Sequence, residues 1–207
     1  MPVRVAVLVL CGVATLSFAA GCGDDGDTEA PDFTVADLAG LSFSRGEVPG
    51  MEYQSDSSGQ GAFVADQEEE AKKEGDESGL GLLDRLEQLG FEGDYVSQFF
   101  ATSRDADLGF VESITFLFED VDGAEGAVDA VREAAAENTN PAEEIDAPDL
   151  GEQAFGLRGE FDGFLTYTYG WRVGDAIQLV GVAPGDQDTG PEGALDLAEQ
   201  LEAKAEG

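Results

Sequence analysis

Two ten-residue stretches alternate with a period of two, and each leads into a helical pattern; no other feature limits the fold as much. Over residues 110–119, Phe110, Glu112, Ile114, Phe116 and Phe118 share one side, and Val111, Ser113, Thr115 and Leu117 the other. Over 164–173, Leu165, Tyr167, Tyr169, Trp171 and Val173 oppose Phe164, Thr166, Thr168, Gly170 and Arg172. Side chains two apart fall on one face of a strand, so both stretches read as strands. The aromatic-rich residues 95–102 pair with the first as an antiparallel hairpin across a turn at 104–109. Asp122 caps a helix running to about residue 138, with Ala127, Val128, Val131 and Ala135 on its apolar side, and Pro141 closes it.

The C-terminal part repeats this order. Strands are expected at 153–158, 164–173 and 175–183, punctuated by Gly163 and Gly174, and a last helix spans 191–205 with Pro191 in its first turn. Glu125-Gly126-Ala127-Val128-Asp129 recurs as Glu192-Gly193-Ala194-Leu195-Asp196, so two β-β-α units are one reading; chance matching of Ala- and Glu-rich helices is the other. Either way the class is α+β, a single antiparallel sheet with helices packed mainly on one face.

Ahead of these units, residues 32–53 mix short apolar touches with glycine and proline and read as loops, with one short strand at 51–55. Residues 60–78 form an acidic helix, exposed or acting as a mobile lid, in which Glu68 with Lys72 and Glu69 with Lys73 are favourable pairs one turn apart. A second helix at 79–89 lines up Leu82, Leu83, Leu86 and Leu89 as a core stripe and stops at Gly90.

The start of the chain supplies an address. Arg4 precedes an apolar run over 5–18, then Ala19, Ala20 and Gly21 lead to Cys22. This is the order of a cleaved export signal, and the apolar run falls short of the roughly 20 residues that a membrane-spanning helix needs. The 19–22 segment resembles the lipobox of bacterial lipoproteins, with Ala19 where Leu is usual. That resemblance implies cleavage before Cys22, a thioether-linked diacylglycerol on its sulfur and, in many lineages, an acyl group such as palmitate on its amine. An uncleaved anchor and ordinary secretion are the alternatives. Residues 22–31 are a polar, acidic tether long enough to hold the following domain about 30 Å from a bilayer. The division is therefore 1–21 signal peptide, 22–31 tether and 32–207 one α+β domain.

Chemistry is limited by what is missing. Histidine is absent, and the only cysteines are Cys11 and Cys22, so the domain lacks an imidazole base, a thiol nucleophile and thiolate metal ligands. Acidic residues number 45 against 10 basic ones, a formal charge of −35 that becomes −36 once Arg4 is removed. Such a charge opposes phosphate backbones and anionic lipid surfaces, so no nucleic-acid partner is expected and the lipid on Cys22 must do the anchoring. Asp120, Asp122 and Glu125, and Asp186, Asp188 and Glu192, place oxygens beside a glycine. Both lack the full ligand set of a calcium loop and read as helix caps. No metal and no cofactor are expected.

The aromatic row Tyr167, Tyr169 and Trp171 either fills the layer beneath a helix or lines a ligand groove or partner surface. The segment 150–183, opening on Leu150-Gly151-Glu152-Gln153-Ala154-Phe155 and containing Trp171-Arg172-Val173-Gly174-Asp175, resembles extracytoplasmic α+β domains of actinobacterial lipoproteins, kinase sensor regions and PsbP-like proteins. The resemblance implies a ligand- or partner-binding module and assigns no residue. The expected function is a non-enzymatic, lipid-anchored accessory domain on the extracytoplasmic face of the cell membrane, binding a small apolar ligand or an envelope protein. Carriage of a lipid or hydrophobic solute, and a carboxylate-based hydrolase, are the alternatives.

Overall fold

Among the described residues eight strands join into one antiparallel sheet with four helices around it. The computed structural model describes residues 31–74, 78–103, 106–139, 141–147, 150–161, 163–185 and 190–207. The signal, Cys22 and the tether up to residue 30 lie outside the described residues. In chain order the elements are β1 Met51–Tyr53, β2 Gly59–Gln60, α1 Ala62–Glu74, α2 Ser78–Gln88, β3 Phe91–Ala101, β4 Leu108–Phe118, α3 Val121–Asn138, β5 Glu143–Ile145, β6 Glu152–Phe161, β7 Phe164–Val173, β8 Ala176–Pro184 and α4 Glu192–Ala205. The strands run β1-β3-β4-β8-β7-β6-β5 across the sheet, and β2 also pairs with β3. Both expected β-β-α units are present, as β3-β4-α3 and β7-β8-α4, and their inner strands β4 and β8 pair at the middle, Ile114 opposite Leu179.

The alternation decides which side each residue takes. On one face Phe116, Phe118, Ile177, Leu179, Phe155 and Leu157 pack against Leu86 of α2 and against Ala124, Ala127, Val128 and Val131 of α3. Phe63 of α1 adds an edge-to-face contact on Phe116 at 4.9 Å. On the other face Phe99, Val111, Val180 and Val182 pack with Ala194, Leu197, Ala198 and Leu201 of α4. Three helices thus cover one face and the fourth goes to the other.

Beside α4 that second face is covered by residues 31–50, which have no regular structure yet bury Leu38, Leu41, Phe43 and Val48. Buried loop backbone needs partners, and polar side chains of the sheet supply them. Ser97 Oγ donates to the Phe43 carbonyl at 2.8 Å, and Gln178 Nε2 to that of Leu41 at 2.9 Å.

Two local expectations need correction. The cap of α3 is Asp120, whose Oδ1 accepts the Gly123 N–H at 2.8 Å, and Asp122 sits inside the first turn. The short edge strands β2 and β5 fall where no strand is expected, because two or three residues carry no readable period.

Candidate binding face

Tyr167, Tyr169 and Trp171 lie between β7 and α4, at 3%, 1% and 0% exposure. The small side chains Ala194 and Ala198 let the helix approach, and the three rings belong to the core on that side. Burial holds the Tyr169 hydroxyl above its ordinary pKa, with the neighbouring Tyr167 adding to the effect. Phe43, Val48 and Leu150 pack in the same cluster.

The opposite face is covered only in part. α3 begins beside Leu89, whose carbonyl oxygen would meet a Cβ at Gly123, and ends where Thr139 and Pro141 lie over Gly159 of β6. Toward the other end of β3, β4, β6 and β7 large apolar side chains remain at the surface. There Phe100 and Phe110 pair with ring centroids 4.9 Å apart, and across the sheet Phe161 and Phe164 flank the β6–β7 turn. Phe100, Phe161 and Phe164 are 48%, 51% and 68% exposed. They are the large hydrophobic residues most at odds with a solvated surface.

Inward of these phenylalanines runs a polar floor that the strand register puts in one row. Gln98 lies opposite Glu112, Glu112 opposite Gly181, and Gly181 opposite Thr168. Gly181 leaves space, since a Cβ built there would have only Thr168 Oγ1 near it, at 3.9 Å. Gln98 Nε2 donates to Glu112 Oε1 at 2.6 Å. Burial pushes the Glu112 carboxyl above its usual range, the Gln98 bond pulls it back, and the negative charge of Asp66 on α1 pushes it up again. The row offers a carboxyl that holds its proton more readily than usual, an amide and a hydroxyl, with the exposed phenylalanines on its outer side. That suits recognition of a partly apolar group carrying a few polar atoms.

The sequence places Glu112 in the apolar row of residues 110–118, and a lone acid in such a row is the signal that marks this face. The sequence-expected aromatic row and this polar row do not meet, because they occupy opposite sides of the sheet. Among the described residues no group of three or more Asp, Glu, Cys or His is arranged to hold a metal. Asp120 serves as a helix cap, and residues 186–189 of the second acidic segment lie outside the described residues. Among the described residues no helix is long and apolar enough to cross a membrane.

No protein-family model and no curated protein sequence matches the chain. Its fold is similar to that of the extracellular domain of PknH from Mycobacterium tuberculosis, with a TM-score of 0.51 and 11% identity over 85% of this chain and 96% of that one. At this identity the likeness is one of fold.

Proposed function

We propose that this chain is a lipid-anchored extracytoplasmic binding module without catalytic activity, and that the open end of the sheet is where it meets its ligand or an envelope partner. The observation that carries the reading is the pairing of exposed Phe100, Phe161 and Phe164 with the half-buried Gln98–Glu112 row on one partly covered face. The export signal ending in Cys22 supports the location, and the fold shared with an extracellular domain agrees with it. The missing histidine and domain thiol support a binding role over catalysis.

Native mass spectrometry of the protein extracted from its own membrane tests this. Wild type is expected to carry an acyl mass and to retain a ligand or partner. A Phe161→Ser, Phe164→Ser double variant is expected to keep the acyl mass and lose the companion. Equal retention by both proteins would remove the assignment.

A further inference from the structure

At the start of β3 the ladder slips between Phe91 and Gly93, a bulge that lies beside a gap against the first turns of α1. Bulges commonly re-aim side chains beside functional sites. Here the gap is a cleft of about 380 Å³ lined by Gln60, Val64, Glu68, Phe91, Glu92 and Asp94, among others. Asp94 is fully buried, and its Oδ2 accepts the Phe63 N–H at 3.0 Å while its Oδ1 has no partner. A buried carboxylate oxygen left unpaired costs free energy, so its persistence calls for an explanation.

We propose that this cleft binds a small organic cation, an alkylammonium group seated on Asp94 Oδ1 with its carbon chain against Phe91 and Val64. An ammonium donates three N–H bonds and accepts none, which matches the unpaired oxygen. Glu92 places a further carboxylate on the lining, and among the described residues no basic side chain lines the cleft. An anion is the wrong class although a helix begins here, because the protein's own Asp94 already occupies the N-terminal N–H of Phe63. Phe91, Val64 and Ala65 supply the apolar wall that a bare metal ion would not use. Burial also holds the Asp94 carboxyl above its ordinary pKa, a cost that a bound cation would offset. The cleft is separate from the open phenylalanine face, so the inference stands or falls independently of the proposed function.

The test is an amide-resolved NMR titration of the full chain in detergent with n-butylammonium, n-butanol and butyrate in turn. The expected result is saturable shifts at Gly61, Val64 and Gly93 with n-butylammonium alone. Asp94→Asn keeps an oxygen for the Phe63 N–H but removes the charge, and it is expected to weaken binding about tenfold or more, in line with hydrogen bonds to charged groups. Ala65→Leu fills the lining from an exposed position and is expected to abolish binding; it carries the test alone if Asp94→Asn does not fold. Absence of saturable shifts, equal binding of n-butanol or butyrate, or unchanged binding by a folded variant would overturn the proposal.

Discussion

Asp175 accepts the backbone N–H of Phe33 through both carboxylate oxygens, at 3.1 and 3.2 Å, across 142 residues of sequence. The contact fastens the 31–50 segment to the β7–β8 turn. Pro31 lies so close that a Cβ on Gly174 would fall 2.0 Å from its carbonyl oxygen, and Gly174 itself has a φ of +60°. Burial raises the Asp175 carboxyl to about 6 from 3.8, the Phe33 N–H pulls it back, and Asp32 beside it pushes it up further. A raised folded pKa means that the native state binds the extra proton. The stabilisation is therefore complete below about pH 3.8 and is lost as pH rises to about 6. Asp175→Asn keeps an acceptor for Phe33 without the charge. Between pH 4 and 6.5, wild type is expected to lose urea resistance relative to this variant, with no further relative change above. A constant difference across the range would refute the role of this group.

What could be read in the sequence depended on period. Ile114 to Phe118 and Tyr167 to Trp171 announce their strands by alternation, and Leu82, Leu86 and Leu89 announce a helix face, because each pattern is local. The 31–50 covering segment is held by Ser97 and Gln178 of distant strands and by Asp175 of the β7–β8 turn, so nothing local marks it. The choice of opposite faces for α3 and α4 is also set by the assembled sheet. Glu112 stands as an acid in an apolar row, whereas its partners Gln98 and Asp66 come from β3 and α1 and no local period points to them.

The capping of α3 separates two acids that look equivalent. Asp120 Oδ1 receives the Gly123 N–H, while Asp122 contributes only its charge in the first turn. Asp120→Ala is expected to lower stability by about 1 kcal/mol, and Asp122→Ala by a few tenths at low salt. Chemical unfolding of both variants, with and without added salt, separates the hydrogen bond from the dipole effect.

Lys204 joins α4 to the 31–50 segment. Its Nζ donates to the Ser42 carbonyl at 2.7 Å and to Glu47 Oε2 at 2.6 Å, and it lies 5.9 Å from the centre of the Phe43 ring. Only the Glu47 contact is an ion pair open to screening by salt. Lys204→Met is expected to cost about 1 to 2 kcal/mol, mostly through the unpaired carbonyl. Most of that loss is expected to persist in 1 M salt, where surface ion pairs fade. A loss that vanishes in salt would assign the effect to Glu47 alone.

Cys22 is expected to be the sole anchor of a chain whose formal charge of −35 repels anionic headgroups. Two acyl chains give stable attachment where one is marginal. Cys22→Ser is expected to move the protein from the membrane to the soluble fraction without altering the unfolding midpoint of the domain. Continued membrane retention of the variant would point to an uncleaved apolar anchor.

Two glycines on neighbouring strands of the same face distinguish packing from binding. A Cβ at Gly170 would fall 2.4 Å from Phe155 Cζ, inside the core beneath α3, whereas at Gly181 its nearest neighbour is 3.9 Å away. Gly170→Ala must displace a buried ring, and overpacking of this kind costs about 1 to 3 kcal/mol. Gly181→Ala is expected to be neutral or slightly stabilising, since it meets open space and reduces the freedom of the unfolded chain. Gly181→Leu would keep the fold while placing a side chain over the row between Glu112 and Thr168. It is expected to unfold near the wild-type midpoint but to lose the ligand or partner retained by wild type in native mass spectrometry. If Gly181→Leu retains that companion, the open face is not the binding surface, because an occupied floor could not accept the same group.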